Sequence, residues 1–178
     1  MAINTLQEKF QHGLEDIYDA EHQFLKGMEE MIAAATNPNL KAMINQHYEQ
    51  TQGHVRNLEQ VFNLLGMPAQ RKPCDGARGI LTEGQKLMKE TSGSTQVCDT
   101  AILGAADKVE HYEIASYRGL IAGAKLMGKS QVVNLLQQNL SQEEQTSQMI
   151  EQTEPMMLQN AMSMEMGTSS TYTNQPTQ

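Results

Sequence analysis

Apolar residues recur three and four positions apart along most of this chain, the period of an amphipathic helix and not the alternation of a strand. The first stripe, Phe10, Leu14, Ile17, Tyr18, Phe24, Leu25, Met28, Met31 and Ile32, predicts a helix over about 5–35. It opens on a capping box, Thr5-Leu6-Gln7-Glu8. Asn37-Pro38 then supplies an N-cap and a proline in the first helical turn. The second stripe runs from Leu40 through Met43, Ile44, Val55, Leu58, Val61 and Phe62 to Leu65, a helix over about 38–65 stopped by Gly66. A third long helix spans about 95–127 and ends at Gly128. The fourth starts near Ser130, carries Val133, Leu136, Leu140 and Ile150, and stops before Pro155, giving about 130–154.

The connection over residues 67–94 is too long for a tight turn and holds a shorter helix within about 76–90. A link of that length runs back along the bundle and leaves the second and third long helices parallel. Two antiparallel hairpins joined by one crossover make an all-α, ferritin-like four-helix bundle. The expected domain is residues 1–155, followed by a flexible tail, 156–178. The tail gathers Met156, Met157, Met162, Met164 and Met166, which make a poor Cu(I) site without nearby His or Cys, and then turns polar. Residues 168–178 are expected to be mobile.

Composition narrows the function. A net charge of −8 without a Lys/Arg cluster argues against nucleic acid, and no apolar run is long enough to cross a bilayer. With no signal-like N-terminus, a soluble cytoplasmic protein is expected. The two cysteines, Cys74 and Cys98, read as reduced thiols, and positive neighbours in Arg71-Lys72-Pro73-Cys74 would lower the pKa of the first.

The chemistry lies in the polar residues that fall on apolar stripes. Glu110 and Glu113 share a helix face with Ala106, Val109, Tyr117 and Leu120. Glu21 sits among Leu14, Ile17, Phe24 and Met28, and Glu143 among Leu136, Leu140 and Ile150. His47 and His54 both fall on the stripe of the second helix, with Gln50 at its edge. An unpaired buried carboxylate costs several kcal/mol, so inward acids imply a compensating cation. Four carboxylates and two imidazoles suit one or two ions of iron or manganese. Tyr18 and Tyr117, each a turn from a candidate ligand on the same face, are placed to act as hydrogen-bond donors around the site or as redox-active neighbours. The usual di-metal pattern of Glu-x-x-His on two helices is absent, so a bland reading stands beside this one. In it the histidines are ordinary core residues, and Glu110 and Glu113 pair with Lys108 or Arg118. Glu15, Asp16, Asp19, Glu29, Glu30, Glu49, Glu144 and Glu151 are read as solvated.

Asp19-Ala20-Glu21, His47 through Thr51 with Gly53, Lys72-Pro73-Cys74, Val109–Tyr117, and Leu140 with Glu143 resemble the YciF/YciE-like bacterial stress proteins of the ferritin-like superfamily. The resemblance covers roughly residues 5–154. It implies a five-helix ferritin-like fold, a homodimer and stress-linked expression. It also marks two departures, Gln50 and Ser147, which stand where the family pattern carries acids. The leading expectation is a metal protein facing oxygen or peroxide, whether as ferroxidase, peroxidase or catalase-like enzyme. The alternative is a non-enzymatic helical stress or interaction protein with a degenerate site.

Overall fold

A computed structural model describes residues 2–171, with side chains to residue 164. It contains α1 (Leu6–Ala34), α2 (Pro38–Leu64), α3 (Asp75–Glu90), α4 (Thr95–Leu126) and α5 (Ser130–Thr171), and no strand among the described residues. The four long helices and the short crossover helix lie where the periodicity put them. Both halves of the predicted capping box form at Thr5 and Glu8, and the Asn37 side chain accepts from Asn39 N and Leu40 N. Gly66 and Gly128 adopt φ of 68° and 67°, a left-handed turn that only glycine enters without strain.

Antiparallel pairs α1–α2 and α4–α5 build the bundle. Thr36, just past α1, meets Asp99 near the start of α4, while Gly123 near the end of α4 packs on Phe10 near the start of α1, so these two helices are also antiparallel. It follows that α2 and α4 run parallel, the arrangement expected of a ferritin-like crossover. Within the crossover, α3 lies across α1 and α4, so close that a Cβ on Gly27 would fall 2.3 Å from the Leu81 side chain. The core is continuous, from Phe10 and Leu14 through Phe24, Leu58, Phe62, Ile102 and Leu103 to Leu136 and Ile150.

Four expectations need correction. The fourth long helix does not stop before Pro155 but runs on to Thr171. A proline inside a helix removes one backbone bond and costs roughly 3 kcal/mol, while burying a side chain such as Met157 recovers roughly 1.5–3 kcal/mol. Met157 joins the core and Ala161 is buried too, so the two effects nearly offset. The tail therefore begins as helix, with Met156, Met162 and Met164 exposed. Of the residues expected to be mobile, 168–171 are helical and 172–178 lie outside the described residues.

Asp19, read as solvated, is buried. It accepts from Cys74 N at 2.8 Å, Arg71 Nε at 2.9 Å and Gln23 Nε2 at 2.6 Å, and so ties the crossover to α1. Burial works against its charge, but these donors hold the carboxyl below its usual range. Cys74 departs in the opposite sense. Its thiol is buried beside Asp16 and the Tyr112 hydroxyl, and burial pushes its pKa up despite the flanking Arg and Lys. Tyr18 turns away from the inner acids and donates to Glu59 at 3.0 Å.

No helix among the described residues is long and apolar enough to cross a membrane. Buried Asp99 closes the α1–α2 turn, accepting from Thr36 N (2.8 Å), Thr36 Oγ1 (2.7 Å) and Asn37 N (2.9 Å). Asp99→Ala is expected to lower unfolding stability by about 1–3 kcal/mol, read as an earlier urea midpoint with an unchanged slope. An unchanged midpoint would show that the turn holds without this carboxylate.

Candidate metal centre

Four helices each deliver one or two polar side chains to a single level of the core. Glu21 comes from α1, His47 and His54 from α2, Glu110 and Glu113 from α4, and Glu143 from α5, all six buried. Ligand atoms of His47, Glu110, Glu113 and Glu143 lie within 4.8 Å of one another, as do those of Glu21, His54 and Glu143. The two groups share Glu143. Its Oε1 is 2.8 Å from His54 Nδ1, and its Oε2 is 3.7 Å from His47 Nε2. His47 Nε2 also approaches Glu110 Oε1 at 3.0 Å, and His54 Nδ1 lies 3.7 Å from Glu21 Oε2.

These contacts are close, yet they are not aligned hydrogen bonds. His47 Nε2, His54 Nδ1, Glu21 Oε2, Glu110 Oε2 and both oxygens of Glu113 and of Glu143 are buried without a hydrogen-bond partner. Native interiors leave few such atoms, and here they face one another. The arrangement suits atoms whose lone pairs converge on a cation, and such a buried His/Glu cluster can hold a metal ion. The pairing of Glu110 and Glu113 with Lys108 or Arg118 does not form, because those cations pair outside the cluster with Glu83 and Glu144, each at 2.7 Å.

A second layer fixes the imidazoles. The Thr146 hydroxyl donates to the Gln142 carbonyl, so at 3.3 Å from His47 Nδ1 it can only accept. His54 Nε2 lies 2.8 Å from Gln142 Oε1, again an acceptor. Each outer nitrogen therefore carries the proton, and each inner nitrogen offers a lone pair in the neutral ring. Tyr117, fully buried, donates a short hydrogen bond to Glu21 Oε1, as its position a turn from Glu113 suggested. Its oxygen accepts from Asn139 Nδ2 at 2.9 Å, and Asn139 Oδ1 accepts from Asn57 at 2.7 Å.

Gln50 is the seventh candidate ligand named in the sequence. It is half-buried a turn from both histidines, and its Oε1 is buried without a partner. Ser147 is buried one turn beyond Glu143. Asn139, Gln142 and Thr146 escaped the sequence reading because the inward test was applied only to acids and histidines. Asn139 has Leu135 and Leu136 behind it and Glu143 ahead, so the same test on amides would have found it.

The electrostatics follow from this crowding. Burial pushes the Glu110 carboxyl up to about 8 although His47 opposes it, and burial with three neighbouring carboxylates drives Glu113 well above its ordinary value. Burial alone would depress the histidines. Glu110 and Glu143 instead raise His47 to about 9, and Glu21 and Glu143 raise His54 to about 11. Glu143 resists its own burial because His54 holds it below the usual carboxylate range. The metal-free cluster thus balances imidazolium against carboxylate and keeps protons on Glu110 and Glu113.

Comparison with known proteins places the chain. The profile of the family described as "Domain of unknown function (DUF892)" matches residues 5–163. The chain belongs to the DUF892 family. This member is 32% identical to Protein YciF of Escherichia coli K12 over 147 residues, 82% of the chain and 88% of that protein. The crystal structure of the E. coli stress protein YciF superposes with a TM-score of 0.83 at 29% identity, covering 88% of this chain and 99% of that one. YcfI from Rhodopseudomonas palustris gives a TM-score of 0.82 at 37% identity, over 84% and 94% of the two chains.

The sign of the pH dependence is fixed by the raised values. Between about 6.5 and 9 for His47, and up to about 11 for His54, the folded chain holds protons that the unfolded chain has lost. That stabilisation is complete below the ordinary imidazole pKa and is lost as pH rises through the folded values. Glu110 acts in the same direction up to about 8. The chelator-treated protein is therefore expected to melt at lower temperature as pH rises from about 6 to about 9. The rise in melting temperature on adding Mn(II) should grow over the same range, because a metal must displace these protons. A melting temperature that climbs with pH in chelator would contradict the cluster's protonation.

Proposed function

We propose that this DUF892 member holds a pair of iron or manganese ions between α1, α2, α4 and α5, in a stress-associated role directed at oxygen or peroxide. The observation that carries this reading is the set of buried oxygen and nitrogen atoms that converge without hydrogen-bond partners. Charge supports a pair. Four carboxylates and two neutral imidazoles carry −4, which two divalent ions neutralise and one does not. His47, Glu110 and Glu113 would hold one ion and His54 with Glu21 the other, while Glu143 belongs to both groups. A bound pair would supply redox chemistry toward small oxidants. The stress association rests on likeness to the E. coli stress protein YciF.

The chain's own groups have defined tasks in this scheme. Thr146 and Gln142 keep the outer imidazole protons in place, so each ring presents its inner lone pair. Tyr117, held by Asn139, orients Glu21. Core packing around all six side chains excludes bulk water.

Gln50 and Ser147 favour a second reading, a helical interaction protein whose site has lost acids and therefore metal. Metal content separates the two. Protein purified without chelator is expected to carry iron or manganese, and Glu113→Gln to abolish or halve it, while Gln50→Glu strengthens binding. Glu113→Gln should also ease repulsion in the metal-free chain. If Glu113→Gln leaves both metal content and metal-dependent melting unchanged, the assignment is wrong.

Assembly as a homodimer is part of the proposal. Leu126, Met156, Leu158 and Met162 are large apolar side chains left exposed on long helices, and such surfaces commonly meet a second copy. Light scattering should give twice the 19.8 kDa chain mass. A monomer mass across a wide concentration range would refute it.

A further inference from the structure

Directly beside the His47–Glu110 edge of the cluster, the bundle core leaves a cavity of about 20 Å³, counted as space for the centre of a water-sized sphere. Met28 of α1, Ile44 of α2, Ala106 of α4 and Ile150 of α5 wall it, and His47 and Glu110 close one end. The register explains its place. Ile44 and Ala106 stand one turn from His47 and Glu110 on their own helices, and Met28 and Ile150 stand two turns from Glu21 and Glu143. The cavity is thus the next layer of the bundle, immediately adjoining the cluster.

Its chemistry selects its occupant. A water molecule needs room of roughly 10–15 Å³ on this measure and two to four polar partners. Room is present, but almost none of the surface that the cavity exposes is polar. Thr146, the remaining polar group on the wall, gives its proton to the Gln142 carbonyl and one lone pair to His47. His47 Nε2 and Glu110 Oε1 face each other at 3.0 Å. Apolar cavities of this kind stay dry and take apolar solutes. Hydrogen peroxide carries the same unmet hydrogen-bonding demand as water, whereas dioxygen carries none and is small enough to enter.

We propose that this cavity is a dioxygen-binding site set against the His47–Glu110 half of the cluster. The assignment rests on the metal reading for its purpose but not for its detection. It narrows the small oxidant to dioxygen over peroxide at this edge, and it gives Met28, Ile44, Ala106 and Ile150 a role beyond packing. Met28 contributes a flexible, polarizable wall that can yield to a passing gas molecule.

Xenon is the first probe, because it enters the same kind of space and needs no metal. Crystals of the metal-free full-length chain under xenon pressure are expected to show one atom between Met28, Ile44, Ala106 and Ile150. Ala106→Leu should remove it, and Ile150→Ala should raise its occupancy. Should Ala106→Leu fail to fold, Ile44→Phe fills the same space. The second probe is Fe(II)-loaded protein at equal iron content, where oxidation by dioxygen should slow several-fold in Ala106→Leu while oxidation by hydrogen peroxide keeps its rate. Ordered water in place of xenon, or a dioxygen rate untouched by the filling variant, would overturn the site. Xenon held by a chain that takes up no metal would support the gas site and overturn the metal pair, so the two failures remain distinct.

Discussion

Repulsion among buried carboxylates is the constraint around which this bundle is arranged. Two unit charges 4 Å apart interact by about 4 kcal/mol at an effective dielectric of about 20, and α1, α4 and α5 bring four acids to the same level. Nothing in the fold removes that strain by distance. It is relieved by His47 and His54, by protons retained on Glu110 and Glu113, and on the reading offered above by metal. Few of the chain's 13 Lys and Arg residues serve the interior, and those that pair with acids near the cluster do so on the surface. A substitution that changes the charge of the site therefore shifts the balance among these partners.

The α2–α5 contact carries more of this arrangement than the ligands alone suggest. Both histidines sit on α2, and both are oriented by α5 through Gln142 and Thr146. Asn139 of α5 bonds the His54 carbonyl and the Tyr117 hydroxyl together, linking α2, α4 and, through Tyr117, Glu21 on α1. A single amide thus joins all four long helices at the level where the acids meet. Such a network is worth most when fully satisfied; Asn139 and the Tyr117 hydroxyl are paired within it, and Glu21 keeps Oε2 free of hydrogen bonds, 3.7 Å from His54 Nδ1.

How much of this the sequence disclosed depends on whether the information was local. Helices, caps and inward faces are set by spacing over three or four residues, so Glu21, His47, His54, Glu110, Glu113 and Glu143 were legible as one inward set. Partners distant in sequence were not. Asp19 looked solvated because the groups that bury it, Arg71 and the Cys74 amide, lie more than 50 residues away. Tyr18 and Tyr117 have equivalent local settings, yet one reaches Glu59 and the other Glu21, a choice made by helix packing. Cys74 misled for the same reason, since Arg71 pairs with Asp19, Lys72 is exposed, and burial decides the thiol. Pro155 was read correctly as a local penalty, and the tertiary burial of Met157 nearly offsets it.

Pro155 has a consequence for how disturbances travel along α5. Helical order is cooperative because each added residue gains one backbone bond from its predecessors, and the proline omits one such bond. Thermal unzipping that starts at the chain end meets this missing link about three turns beyond Glu143. The segment after Pro155 can open and close as its own unit, while the part that carries Asn139, Gln142, Glu143 and Thr146 remains in a separate, deeper cooperative block. Motion at the end of the longest helix is in this way insulated from the distances on which the cluster depends.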